Sequence, residues 1–142
     1  MGMDRQTMLD TFVKRVNGLG RSRQDASLTG KCVYFPAGHP GCAIGCQAGF
    51  EQFRRLDLDQ LENSGIDVVV DSYSEIADWL GAENMDFAVE LQLLHDWSDN
   101  WCGLRLRRKP VEEFAARWSL TMPSAEWGEE DGPFGMEATP VS

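Results

Sequence analysis

The residue with the most reactive potential is Cys42. It follows Pro40-Gly41 and precedes Ala43-Ile44-Gly45-Cys46-Gln47-Ala48-Gly49-Phe50, a run of small residues read as a short helix. The partial positive charge of a helix start favours the thiolate, which is the nucleophilic form of cysteine. His95 and Asp96 are the natural candidates to complete a Cys–His site, with His95 as the base. Neighbouring helical residues point apart, so this reading expects a separate group to orient His95. The competing reading is structural: Cys42 packs a turn as a small buried hydrophobe, and His95 borders the core.

A second chemistry uses the same thiols. Cys42 and Cys46 stand four apart and can share a helix face, and Cys32 and His39, or His95, can complete a four-ligand zinc site. The spacing Cys-x9-Cys-x3-Cys matches no common finger, so the expectation is no cofactor, with zinc as the alternative. A third candidate is aromatic. Trp97 and Trp101 flank the turn after His95, and Arg105 and Arg107 follow closely, a set suited to a planar or anionic ligand. Aromatic residues at helix ends also serve simply to close cores. No Gly-rich phosphate loop, serine elbow or paired metal-binding histidine motif is present.

Charge narrows the partners. The 142-residue chain carries 13 basic and 23 acidic side chains, a net −10. The sign is uneven: +3 over residues 1–31, −10 over 54–100 and +3 over 101–118, and residues 119–142 hold five acids and no base. Generic binding to nucleic acid is disfavoured, since phosphate contacts need a concentrated basic face. The acids from Asp57 to Glu90 form a solvated face or a field that steers a basic partner. No apolar run approaches a membrane span, the N-terminus lacks a secretory pattern, and the cysteines read as thiols. The expectation is a cytoplasmic protein with no membrane partner.

The elements that must position these residues follow from periodicity. Leu9, Phe12, Val13 and Val16 lie on one face of a helix over Asp4–Asn17, with Gly18 and Gly20 as stops. Residues 21–30 read as a loop. Cys32–Phe35 and Ile66–Val70 read as strands that pair with each other. Leu56, Leu58 and Leu61 suggest a brief helix. Ser72 with Glu75 fits a capping box before Ile76, Trp79 and Leu80. Asn84 is expected to cap the helix Met85–His95, with Phe87, Leu91 and Leu94 inward. Pro110 is expected at the first position of a last helix that buries Val111, Phe114, Ala115 and Trp118. The fold class is therefore α+β, a mainly helical single domain (1–120) with a small two- or three-stranded sheet. Residues 121–142 read as an acidic Pro/Gly-rich tail, mobile or loosely draped, with Trp127 and Phe134 as docking points.

Three short motifs carry a resemblance: Lys31-Cys32-Val33-Tyr34-Phe35, then Gly41-Cys42-Ala43-Ile44-Gly45-Cys46, then Leu91-Gln92-Leu93-Leu94-His95-Asp96. Together they resemble a family of small uncharacterised phage and prophage-type proteins with Cys-x-Tyr, Cys-Ala-Ile-Gly and Leu-Gln-x-x-His-Asp motifs. Phe35 stands where that pattern has an arginine, so an anion contact from that position is absent. The likeness spans residues 15–120 and implies a mobile-element origin. The functional expectation is a non-catalytic, phage-type accessory protein that binds a host protein or a small ligand. A cysteine-dependent enzyme and a zinc-stabilised interaction module are the alternatives.

Overall fold

The computed structural model describes residues 3–20, 41–56 and 66–128. In chain order the α-helices are α1 (Arg5–Val16), α2 (Ile66–Ser72), α3 (Ser74–Leu80), α4 (Met85–Asp96) and α5 (Arg108–Arg117). A hairpin of β1 (Trp101–Cys102) and β2 (Arg105–Leu106) separates α4 from α5, and a 3-10 helix spans Phe50–Leu56. The fold is a mainly helical α+β domain with one two-stranded antiparallel sheet. No helix among the described residues is long and apolar enough to cross a membrane.

Helix α1 forms as its periodicity requires. Met8, Leu9, Phe12, Val13 and Val16 are buried, and the Asp4 carboxylate accepts the Thr7 N–H as an N-cap at 2.9 Å. The Thr7 hydroxyl adds a second hydrogen bond, and both hold the Asp4 carboxyl below its ordinary range.

The sheet is not the one expected. Ile66–Val70 is the first part of α2, and Cys32–Phe35 lies outside the described residues. Ile66, Val69 and Val70 are buried while Asp67 and Val68 are exposed, which is a helical rather than an alternating pattern. β-Branched residues cost a helix only a few tenths of a kcal/mol each, and burial of one face outweighs that. The buried N–H of Ile66 is satisfied by the Gln92 Oε1 of α4 at 2.7 Å. The true strands flank Gly103, whose φ of 63° opens the two-residue hairpin loop. The carbonyl of Leu104 in that loop accepts the N–H groups of Gly18 and Gly20, which docks the hairpin on the end of α1.

Two caps also differ from expectation. Ser72 ends α2, with its hydroxyl donating to the Val68 carbonyl, so the Ser72–Glu75 box does not form; Tyr73 precedes α3. Asn84 makes no side-chain cap on α4. It is buried, donating to the carbonyls of Met3 and Leu80 and accepting from Arg5 Nε at 2.9 Å. One amide thus ties the N-terminus, the end of α3 and α1 together. Asn84→Ala leaves these groups without their partner, and the expected loss is ~2–3 kcal/mol in urea unfolding. A loss below ~0.5 kcal/mol contradicts that role.

Pro110 lies third in α5 rather than first, still within the turn whose N–H groups lack helical acceptors. Helices α4 and α5 share one core. Phe87 meets Phe114 and Trp118 at ring-centroid distances of 5.3 and 5.2 Å. Packing continues beyond α5: residues 121–128 run over α1 and the hairpin, Gly128 donates its N–H to the Leu106 carbonyl, and Trp127 packs on the core. Phe134 and the rest of the C-terminal segment lie outside the described residues.

Candidate functional site

Residues 42–46 form a single turn, closed by Cys46 N–H to the Cys42 carbonyl at 3.0 Å, and not a helix. The helix-start field expected to activate Cys42 is therefore absent. Cys42, Ala43, Ile44 and Cys46 are all buried in the main core. The groups on the Cys42 sulfur are the Gly45 N–H at 3.5 Å and the Gln92 amide at 3.9 Å. Burial pushes the Cys46 thiol up, and the neighbouring Cys42 adds to the rise against the opposing Arg15 charge. Small side chains are needed here because the turn lies against α1 and α4. Gln47 donates to the Met8 and Ala43 carbonyls, and Arg15 donates to the Cys46 carbonyl.

These thiols fill space among apolar neighbours. Iodoacetamide is expected to modify the exposed Cys102 first among the described cysteines, with Cys42 and Cys46 reacting at the rate of unfolding. Mass-spectrometric alkylation kinetics check this; faster native than unfolded reaction at Cys42 would show an activated nucleophile. Of the expected zinc ligands, Cys32 and His39 lie outside the described residues. Among the described residues, no three His, Cys, Asp or Glu side chains converge on a metal position.

His95 is also buried, at the C-terminal end of α4. Its Nδ1 lies 2.6 Å from the Asp96 Oδ1. Expectation held that these neighbours would point apart. They meet as the last two residues of α4, where the helix gives way to the extended backbone of Trp97. Phe12 and Trp101 pack edge-on against the imidazole, both at 6.0 Å, and the Trp101 indole donates to the His95 carbonyl at 2.8 Å. His95 and Asp96 therefore form a pair, but Cys42 is not joined to it. Among the described residues no hydrogen bond joins Cys42 to His95 or Asp96.

The aromatic and basic candidates divide between places. Trp101 belongs to the His95 packing. Arg107 donates to the Asp99 carbonyl at 3.1 Å. Arg105 pairs with Glu126 at 3.0 Å and lines a cleft between α1 and residues 121–126. Trp97 alone presents a large face: it is 60% exposed, and its indole N–H donates to Asp99 at 3.2 Å. It lines a second cleft, of about 460 Å³, between the ends of α4 and α5. Leu93, 53% exposed, stands one turn before it, and Leu94, Pro110 and Phe114 supply apolar walls. Glu113 lies at the rim, and Glu90 is held by Arg117 at 2.8 Å and the Trp118 indole at 3.1 Å.

Leu93 is the residue that sequence reasoning missed. Its signal was present: Phe87, Leu91 and Leu94 define the buried stripe of α4, and a leucine between the last two falls off that stripe. The cleft itself carries both signs, Glu90 and Glu113 with Arg117, and Arg108 and Lys109 precede its Pro110. Unbalanced acid lies before it in the chain. No Lys or Arg occurs between Arg55 and Arg105. Asp67, Asp71, Glu75, Asp78, Glu83 and Asp86 are exposed on or beside α2, α3 and α4, and among the described residues only Glu75 of these forms an ion pair, to Arg55.

No protein-family model, no curated protein and no solved structure matches the chain.

Proposed function

We propose that this chain is a non-catalytic accessory protein of the phage type that binds a basic host protein in the cytoplasm. The observation that carries the reading is the exposed Leu93–Trp97 pair above the α4–α5 cleft. Two large apolar side chains one helical turn apart, beside a cavity with apolar walls, are costly to leave in water and are the usual form of an interface centre. Tryptophan is enriched in such centres because its rigid ring gains contact area with little entropy loss. The partner's matching feature is an apolar side chain that enters the cleft with a Lys or Arg beside it that faces Glu113, while the acids of α2 and α3 add a longer-range attractive field. The acidic field raises the encounter rate, and the apolar contact sets the lifetime of the complex.

Two features support binding rather than catalysis. The thiol best suited to nucleophilic work is buried away from solvent, and the His95 imidazole is buried edge-on against Phe12 and Trp101. The reading is tested with a photoreactive benzoylphenylalanine at position 93, with the same group at the exposed Val68 of α2 as comparison. A discrete, saturable crosslink to one basic protein from position 93 and not from 68 supports it. Equal crosslinking from both positions, or none from 93, overturns it.

A further inference from the structure

The cleft between α1 and residues 121–126, of about 660 Å³, is built on different residues and does not depend on the α4–α5 reading. Its outer wall is the segment Thr121–Glu126, fastened at both ends by side-chain amides of α1. At one end Gln6 accepts the Thr121 N–H at 2.8 Å and donates to the Thr121 carbonyl at 2.9 Å. At the other, Asn17 donates to the Glu126 carbonyl at 2.9 Å and accepts the Leu106 N–H at 2.7 Å. The two anchors stand eleven residues apart on α1, about 16 Å at the helical rise. Thr121 to Glu126 is five residues, also about 16 Å at the rise of a strand. The strap is therefore drawn out nearly straight, parallel to the helix. Between its anchors the backbone groups of Met122, Ser124 and Ala125 make no hydrogen bond among the described residues.

A fixed, extended backbone with unused N–H and C=O groups is a template for one more strand. Across the cleft, α1 presents Asp10 and Lys14, four residues apart and not paired with each other. Asp10 accepts one hydrogen bond from the Gln6 amide at 2.9 Å, which leaves its other carboxylate oxygen to a ligand, and Lys14 has no carboxylate partner among the described residues. Four residues along a helix advance about 6 Å, close to the ~6.6 Å between alternate side chains of a strand. Val13, Met122 and Pro123 supply apolar contact. We infer that the strap and α1 hold a short extended peptide of about five residues. Its backbone pairs with the strap, and a basic and an acidic side chain two positions apart face Asp10 and Lys14.

The test is calorimetric titration of the full chain with two N-acetylated, amidated pentapeptides, Ala-Lys-Ala-Glu-Ala and Ala-Glu-Ala-Lys-Ala. They carry the same charges in opposite order. One is expected to bind saturably, about five- to tenfold tighter than the other, the gain of two exposed ion pairs over two repulsions. The double variant Asp10→Lys, Lys14→Glu, at exposed positions, is expected to invert that preference. Trp97→Ala should leave it unchanged. Binding of neither peptide at millimolar concentration, or a preference that the double exchange does not invert, overturns the inference.

Discussion

Phe87→Ala is expected to lower the stability of the domain by ~3–5 kcal/mol, the usual cost of removing a buried aromatic ring. For a chain of this size that corresponds to a fall in Tm of roughly 10 °C or more. Phe87 is fully buried in α4 and its ring meets Phe114 and Trp118 of the α5 region. On the far side of this aromatic group lies Arg5 of α1, its guanidinium 4.9 Å from the Trp118 ring centroid and 5.8 Å from that of Phe87. The guanidinium cannot collapse into the space left by Phe87, because Asn84 Oδ1 and the Glu83 carbonyl hold its nitrogens. The cavity therefore stays open, and the cost falls toward the upper end of the range. Urea unfolding followed by circular dichroism measures it. A loss below ~1 kcal/mol would mean that α1, α4 and α5 do not share one core.

The helices were legible where one face is strictly apolar. The i, i+3, i+4 patterns of α1 and α4 hold, and so does the Val111/Phe114/Ala115 face of α5. Misreading came where composition and context disagree. Ile-Asp-Val-Val-Val favours a strand by residue type, yet at Ile66–Val70 a helix buries Ile66, Val69 and Val70 together on one side. The real strands are two residues each, too short for any alternation to register, and only the positive φ of Gly103 marks their turn. Asn84 was read from its place before α4, whereas its partners, Met3 and Arg5, are some eighty residues away in sequence. Such contacts leave no local trace.

At the candidate sites the same limit applied. Cys42 and Cys46 were visible as reactive types, but their burial comes from the chain's path between α1 and α4. Trp97 was legible as an aromatic at the turn after His95, suited either to a ligand or to closing the core; its exposure and the cleft beside it depend on where α5 returns. The strap cleft was not legible at all. Its anchors are two ordinary amides, Gln6 and Asn17, which gain meaning only when residues 121–126 are drawn across α1.

The second large effect concerns binding. Trp97→Ala and Leu93→Ser each remove an exposed apolar side chain at the mouth of the α4–α5 cleft, while the buried Leu94 and Phe114 beneath remain in place. Stability should stay within ~0.5 kcal/mol of wild type, as for surface substitutions that break no cap, bond or core contact. The indole N–H bond to Asp99 is solvent-exposed, so its loss adds little. Partner affinity should fall by at least ~30-fold for Trp97→Ala, the scale of an interface hot spot of ~2 kcal/mol. The association rate of the wild type should fall with added salt, whereas the Trp97→Ala loss should lie in the dissociation rate.

The most direct measurement is surface plasmon resonance with the purified protein crosslinked through position 93, comparing wild type with Trp97→Ala of equal Tm. The expected result is a dissociation rate at least ~30-fold faster in the variant, with association nearly unchanged. Equal dissociation rates for the two proteins would contradict the assignment of the Leu93–Trp97 cleft as the binding site.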